Sequence, residues 1–111
     1  MSLSMKIVLT PNFIKSSKKL SKKYRLIFED LKELKRQLLQ DENGAINLGG
    51  NCYKIRLKNS STSVGKSGGF RIIYYKKIES KIYLLEIYTK TDIISIQEKK
   101  IIEILKDNNL L

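Results

Sequence analysis

The fold of this chain is decided by two strand-like segments, Tyr53-Lys54-Ile55-Arg56-Leu57-Lys58 and Phe70-Arg71-Ile72-Ile73-Tyr74, which a loop of small residues separates. Apolar and cationic side chains alternate in the first segment, as they do in a half-buried β-strand. Alternation places Lys54, Arg56 and Lys58 on one face of that strand. Like charges stacked in this way repel one another unless water or a polyanion lies against them. The pattern therefore predicts a sheet surface that faces nucleic acid.

The segments around this stretch predict a small α+β domain. Residues 5–9 and 81–90 are short and rich in apolar residues, which is typical of strands. Thr10-Pro11 predicts a helix start at a capping hydroxyl, and residues 22–40 predict a second helix. The expected order is β-α-α-β-β-β-α. Because three successive strands have short links, we expect an antiparallel sheet with the helices packed on one side.

The two later helices carry signals of their own. Residues 22–40 hold apolar side chains at steps of three and four, which predicts a core-facing stripe of Tyr24, Ile27, Phe28, Leu31, Leu34 and Leu38. Ser95-Ile96-Gln97-Glu98 matches a capping box and predicts the start of the last helix. Residues 41–51 contain Asn43-Gly44 and Gly49-Gly50, so they predict a connector made of turns.

Composition limits the class of protein. The chain has 111 residues, and we expect one domain at residues 5–111 after a leader, Met1-Ser2-Leu3-Ser4. Its formal net charge of +11 suits phosphates, an anionic membrane surface or an acidic partner. No apolar run approaches the roughly 20 residues that span a bilayer, and no secretory signal is visible. We therefore expect a cytoplasmic protein that does not act in a membrane.

The chain contains one cysteine, Cys52, and no histidine. A disulfide within the chain and a thiolate metal cluster are therefore excluded, and the usual general base is absent. Acidic residues are too scattered for a metal site. We expect no metal and no small-molecule cofactor.

Gly65-Lys66-Ser67 suggests a phosphate-binding loop, but the surrounding pattern argues against nucleotide binding. Such a loop needs a glycine where this chain has Ser60, and a helix where this chain has a predicted strand. Lys66 nevertheless places a cation on a loop of small residues, where backbone amides can face an anion. The glycines are equally consistent with a loosened connection between two strands.

Arg71 begins an otherwise apolar strand and allows two interpretations. It forms a structural ion pair with Glu86 of the neighbouring strand, or it places its guanidinium against a phosphate beside the strand cations. Tyr88 and Lys90 share the Glu86 face of the last strand and are expected near the same surface. The lysines of the first helices are either ordinary solvated residues or a sequence-independent RNA footprint: Lys18, Lys19, Lys22 and Lys23.

Three stretches resemble the RelE/HigB branch of bacterial toxin–antitoxin toxins, in the RelE/ParE superfamily: residues 53–57, residues 65–74 and Ile87-Tyr88-Thr89-Lys90. The resemblance runs from about Met5 to the end and is most specific from Lys66 to Tyr74. It implies a RelE-like fold with the element order given above. It also implies a ribosome-dependent mRNA endoribonuclease that inhibits translation and that a cognate antitoxin neutralises.

The chemistry that the resemblance implies needs neither a metal nor a histidine. The ribose 2′-hydroxyl attacks the adjacent phosphate, which yields a 2′,3′-cyclic phosphate and a 5′-hydroxyl. Fixed cations stabilise the charge that builds on the phosphorane. The implied roles are a base at Lys54, a phosphate clamp of Arg56 and Arg71, and further contacts from Lys66 and Lys90.

Two points of the resemblance stay open. A shift of the alignment by one alternation exchanges Lys54 and Arg56 with Lys58, which is otherwise assigned to RNA binding. Family members often carry a catalytic tyrosine in or just before the last helix, but residues 92–111 contain none, so Tyr88 is the nearest substitute. The alternative functions are a ParE-like poison of DNA gyrase, against which the clustered cations argue, and a non-catalytic RNA-binding module.

Overall fold

The structure, a computed structural model, describes residues 5–40, 43–63, 68–77, 80–93 and 95–111. Residues 1–4, expected to be a leader, lie outside the described residues. The elements follow in the order β1 (Lys6–Leu9), α1 (Pro11–Ser21), α2 (Ile27–Leu38), β2 (Ile46–Gly49), β3 (Cys52–Leu57), β4 (Phe70–Lys77), β5 (Lys81–Thr89) and α3 (Glu98–Asp107). The α+β class is confirmed, and β2 is an additional strand.

One five-stranded sheet organises the chain, in the strand order β1-β5-β4-β3-β2. Strands β2 to β5 pair antiparallel, as their short links predict. β1 instead runs parallel to β5, from Lys6 beside Lys81 to Leu9 beside Leu84. The sheet is therefore mixed, and the expectation of a purely antiparallel sheet is wrong. Two helices separate β1 from the other strands, so no tight turn forces its direction.

The sheet is covered on both faces by separate apolar cores. Ile72 of β4 packs with Phe13 of α1, whereas its neighbour Ile73 packs with Ile101 of α3. Neighbours along a strand point to opposite faces, so α3 lies on the face opposite α1 and α2. The helices pack on the sheet as predicted, but not all on one side. The reason is that β4 and β5 are apolar on both faces, and each face needs its own cover.

α1 begins where the sequence predicts. The Thr10 hydroxyl oxygen caps the helix by accepting a hydrogen bond from the N–H of Phe13 at 3.2 Å, and Pro11 follows in the first turn. The same hydroxyl donates to the carbonyl of Leu84 at 2.8 Å. This bond ties the start of α1 to β5.

A β-bulge at Leu85 changes the face of the sheet to which the following side chains of β5 point. The register against β4 skips Leu85, so its backbone stands outside that ladder. Asn12 of α1 compensates by donating its Nδ2 to the Leu85 carbonyl at 2.8 Å. As a result Leu84 packs in the core under α1 and α2, whereas Tyr88 packs in the core under α3.

α2 begins at Ile27, later than predicted. The residues before it form a turn in which Tyr24 still reaches the core, edge-on to Phe70 with ring centroids 5.5 Å apart. The helix is capped from elsewhere, because Ser61 Oγ accepts a hydrogen bond from the N–H of Leu26 at 2.9 Å. Because Ser61 is far from Leu26 in sequence, the local pattern of residues 22–40 does not predict this cap.

The contact with Ser61 is half of a reciprocal arrangement that we call the α2–loop clamp (Leu26, Asp30, Ser60, Ser61). In return, the buried Asp30 of α2 accepts hydrogen bonds from the N–H of Ser60 at 2.9 Å and from its hydroxyl at 2.5 Å. The start of the helix and the start of the loop thus satisfy each other's backbone donors. The clamp fixes the point at which the chain leaves β3.

Three further local predictions are wrong. Phe28 is 53% exposed, because it lies to one side of the sheet-facing stripe of α2. α3 begins after Gln97 without a side-chain cap, not at the box that starts with Ser95. Residues 46–49 form the edge strand β2, although they are all exposed and include Asn and Gly, because pairing with β3 creates the strand.

Candidate functional site

A row of three side chains crosses the sheet on the face that carries α3. Arg56 of β3 lies directly opposite Arg71 of β4, and Arg71 lies directly opposite Tyr88 of β5. Directly opposed residues point to the same face, with Cβ atoms about 4.5–5.5 Å apart. The side chains of two arginines therefore leave neighbouring strands next to each other, and that of a tyrosine follows on the third strand. We call Arg56, Arg71 and Tyr88 the cross-strand row.

Lys54 lies on the same face of β3 as the cross-strand row. Its half-buried side chain borders a groove between α3 and the sheet. The groove has a volume of about 740 Å³ and is lined mainly by apolar side chains, among them Tyr75 and Leu105. The alternation predicted for β3 is confirmed, because Ile55 and Leu57 pack in the opposite core.

The members of the row differ in exposure. Arg56 is exposed, whereas Arg71 and Tyr88 keep only 6% and 3% of their accessible surface. A buried guanidinium needs hydrogen-bond partners. Nη1 of Arg71 donates to the carbonyl of Gly69 at 3.2 Å. Arg56 is thus the member of the row that a ligand in solution meets first.

Tyr88 is held in its protonated form. Burial raises the pKa of its phenol above the ordinary 10.0, and Glu86 adds to that effect. A hydrogen bond with the backbone of Ile96 and the positive charge of Arg71 oppose it without cancelling it. A phenol with such a pKa keeps its proton at neutral pH, so it can donate a hydrogen bond or a proton.

Glu86 is the acidic neighbour of this cluster. It is buried on β5, and its Oε1 accepts a hydrogen bond from the N–H of Ile87 at 3.1 Å. Arg71 is bound to Gly69, and both charges act on Tyr88. The direct ion pair between Glu86 and Arg71 stays a prediction.

Other predicted site residues lie at the ends of these strands. Lys58 follows β3 and Lys90 follows β5, and both are exposed. The last paired residues of β3 and β5 both lie beside Phe70, so Lys58 and Lys90 stand at the same end of the sheet. Lys66 lies outside the described residues.

The lysines predicted as an RNA footprint lie on the other side of the sheet but near the same end. Leu26, in the turn after α1, bonds to Ser61, and Tyr24 packs on Phe70 beside the start of β4. The basic turn is thus close to the end of the cross-strand row without sharing its face. The exposed lysines at the end of α1 and in this turn are Lys18, Lys19, Lys22 and Lys23.

Sequence reasoning missed two residues that support the site. Gly69 lies so close to β3 that a Cβ would overlap the carbonyl oxygen of Leu57, and its own carbonyl holds Arg71. The doubled glycine before Phe70 is a signal for such a close approach. Asp30 holds the loop through the α2–loop clamp, and an acid in the first turn of a helix gives no signal of that role.

The described part of the chain also bears on the other expectations. Within those ranges, no three acidic or cysteine side chains gather where they would hold a metal ion, and none of the helices there is long and apolar enough to cross a membrane. Cys52 is buried under α3, where burial raises the pKa of its thiol. A thiol that keeps its proton fits a packing role rather than a nucleophile. The absence of a metal and a cofactor stays a prediction.

Comparison with known proteins identifies the family. The chain matches the family described as the RelE toxin of the RelE / RelB toxin–antitoxin system over residues 5–108, and it belongs to that family. Similar solved structures include a double arginine-to-alanine mutant of the E. coli toxin RelE in the free state. That match has 19% sequence identity, covers 95% of this chain and 98% of the other, and has a TM-score of 0.59, so it shows a shared fold. Curated proteins give no match.

Family membership confirms the class that the sequence predicts. The chain is a RelE-like toxin of a toxin–antitoxin system, and toxins of the RelE family are endoribonucleases. The family also implies a cognate antitoxin as a partner. The roles of individual residues follow from the geometry only as proposals.

Proposed function

We propose that this chain is a ribosome-dependent mRNA endoribonuclease that cuts without a metal ion. The observation that carries the proposal is the direct opposition of Arg56 and Arg71, with Tyr88 next in the row. A phosphodiester is an anion that arginines on directly opposed positions can both bind, because its oxygens match the donors of the guanidinium fork. Membership in a family of endoribonuclease toxins supports the reaction class.

In the proposed reaction, the ribose 2′-hydroxyl attacks the neighbouring phosphorus and the bond to the 5′ oxygen breaks. Lys54 takes the proton of the 2′-hydroxyl, and Arg56 and Arg71 stabilise the charge on the phosphorane. Tyr88, which is protonated at neutral pH, gives its proton to the leaving 5′ oxygen. The products are a 2′,3′-cyclic phosphate and a 5′-hydroxyl.

Substrate binding uses the cations around the row. Lys58 and Lys90 are exposed at the same end of the sheet, and the basic turn with Lys22 and Lys23 extends the positive surface around that end. Contacts of this kind neutralise phosphates and position the RNA without reading its sequence. Lys66 is proposed as a further cation of the site on the sequence alone.

We also propose that the cognate antitoxin covers the cross-strand row with an acidic segment. A formal net charge of +11 favours an acidic partner. Arg56 is exposed, so a carboxylate can reach it from solution. A segment bound there would neutralise the positive surface and exclude RNA at the same time.

Primer extension on mRNA in a translation reaction tests the proposal. Wild-type protein should produce new mRNA ends only when ribosomes are present. Arg71→Ala should lower the cleavage rate by about 100-fold or more, which is the scale for losing one donor to a transition-state charge. Arg36→Ala is the matched control, because Arg36 is exposed on α2, on the far side of the sheet, and it should cut like wild type.

A second candidate, a non-catalytic RNA-binding module, is favoured by the burial of Arg71 and Tyr88, because binding needs only exposed cations such as Arg56. This candidate predicts RNA binding that Arg56→Ala weakens, without 2′,3′-cyclic ends. A wild-type protein that leaves mRNA and translation intact would contradict the proposed cleavage. Inhibition of gyrase by the same protein would then support the ParE-like alternative.

A further inference from the structure

Gly69 lies where β3 meets the candidate site. A Cβ on this residue would overlap the carbonyl oxygen of Leu57 and would lie 3.2 Å from the backbone nitrogen of Asn59. Both of these neighbours belong to fixed structure, because Leu57 is paired in the sheet and Asn59 is buried. Only a residue without a side chain fits against the strand at this distance.

The end of β3, against which Gly69 packs, is also held by residues on the other side of the sheet. Asp30 holds the N–H of Ser60 at 2.9 Å, and Asn59 Oδ1 accepts a hydrogen bond from the N–H of Ser61 at 3.0 Å. The chain therefore leaves β3 along a defined path. The backbone of Gly69, packed against that path, has a defined position as well.

Arg71 uses the carbonyl of Gly69 as an acceptor, at 3.2 Å from its Nη1. An arginine side chain has many rotamers, and a fixed acceptor removes most of them. A guanidinium that is already ordered meets the transition state without reorganising, which is where much of the catalytic effect of positioned groups arises. The anchor on Gly69 therefore bears on the rate of the chemical step more than on the first contact with RNA.

We propose that Gly69 is a positioning residue of the RNA-cleaving site. Its carbonyl fixes the guanidinium of Arg71, and its missing side chain is what allows the carbonyl to lie there. This inference rests on the proposed function, because it assigns Gly69 a part in cleavage as well as in folding. A residue that acts only through Arg71 has no further effect once Arg71 is replaced.

The test is a double-mutant cycle on ribosome-dependent cleavage under single-turnover conditions, with wild type, Gly69→Ala, Arg71→Ala and the double variant. We expect Gly69→Ala to lower the rate constant by about 10- to 100-fold, with little change in the affinity for RNA. The double variant should cut at the rate of Arg71→Ala. Losses that simply add would overturn the proposal, because Gly69 would then act independently of Arg71.

Gly44→Ala is the control for a general loss of stability when a glycine is replaced. Unlike Gly69, Gly44 has a positive φ, of 78°, and no atom lies near the position of its absent Cβ. This variant should cut like wild type. A loss of cleavage in Gly44→Ala as large as in Gly69→Ala would show a general effect of destabilisation and would overturn the specific role of Gly69.

A measurement on the wild-type protein keeps the inference testable if Gly69→Ala does not fold. Nitrogen-15 NMR of the arginine side chains reports rotation about the Nε–Cζ bond. We expect slow rotation for Arg71 and fast rotation for the exposed Arg25. Rotation of Arg71 as fast as that of Arg25 would overturn the anchor. Failure of the proposed function has a different signature, because wild-type protein would then cut no mRNA whatever the rotation rate of Arg71.

Discussion

Arg56 and Arg71 lie directly opposite each other on neighbouring strands, where two positive charges do not stabilise a sheet. Like charges directly opposite each other on neighbouring strands lower the free energy of unfolding. An anion bound between the two guanidinium groups reverses the sign of that contribution, because each group then faces an opposite charge. Two arginines at directly opposed positions thus favour a phosphate that both can contact, and this is the physical basis of the site proposed here.

Tyr74 provides a test of burial at the scale of one residue. Burial raises the pKa of its phenol above the ordinary 10.0. Above that pH the unfolded chain loses the proton more readily than the folded chain, so the folded state loses stability as the pH rises through the folded pKa. The contribution is complete below about pH 10. Wild type should therefore lose stability relative to Tyr74→Phe as the pH rises above about 10.

Urea denaturation of both proteins at each pH measures this effect. The lysines also titrate in this range, but they are the same in both proteins, so their contribution cancels in the difference. A difference that stays constant across the range would contradict a phenol kept neutral by burial.

The elements show how far local sequence signals extend. β3, β4 and the start of α1 were predictable, because alternation, an apolar run or the cap at Thr10 decides each of them locally. The strand β2, the direction of β1 and the start of α2 were not, because each depends on a partner far away in sequence. The site residues also divide into those that a local pattern predicts and those that depend on a distant partner. Alternation predicts that Lys54 and Arg56 share a face, whereas the opposition of Arg56 to Arg71 depends on a register set across a loop.

The α2–loop clamp gives a prediction at the scale of elements. Asp30→Ala removes the acceptor for both the N–H and the hydroxyl of Ser60. Leaving a partly buried donor without its partner should lower the free energy of unfolding by about 1–3 kcal/mol. Ser63→Ala, at an exposed position of the same loop, should change it by less than about 0.5 kcal/mol. Urea denaturation compares the two, and equal small changes would show that the clamp does not hold the loop.

Across the whole molecule, positive charge gathers around one end of the sheet. The cross-strand row lies on the face of α3, the basic turn lies on the face of α1 and α2, and both approach the end where the chain leaves β3. The positive field attracts phosphates, but repulsion among the same charges also destabilises the folded state. Salt should therefore stabilise the fold and weaken the binding of RNA.

Two double variants separate these effects. Lys22→Gln/Lys23→Gln and Lys15→Gln/Lys35→Gln each remove two exposed positive charges from a formal +11. Both should reduce the rise of Tm with salt to a similar extent, because self-repulsion depends on total charge. Only the first pair lies at the proposed RNA-binding end. It should reduce the slope of log affinity for RNA against log salt by about 1.4, the value for two contacts to a single strand. Equal slopes for the two variants would contradict the placement of the footprint.

The bulge at Leu85 determines the face of the sheet to which Tyr88 points. Leu85 is a surplus residue, so a chain that lacked it would keep Leu84 and Tyr88 on their present faces by plain alternation. A chain of the same length in which the bulge straightened would instead turn Tyr88 into the opposite core and remove it from Arg71. Deletion of Leu85 and insertion of one residue beside it both make the separation of Leu84 and Tyr88 odd, so plain alternation keeps the two side chains on opposite faces in either case. The bulge, as much as the chemistry of the strand, therefore determines whether the row is assembled.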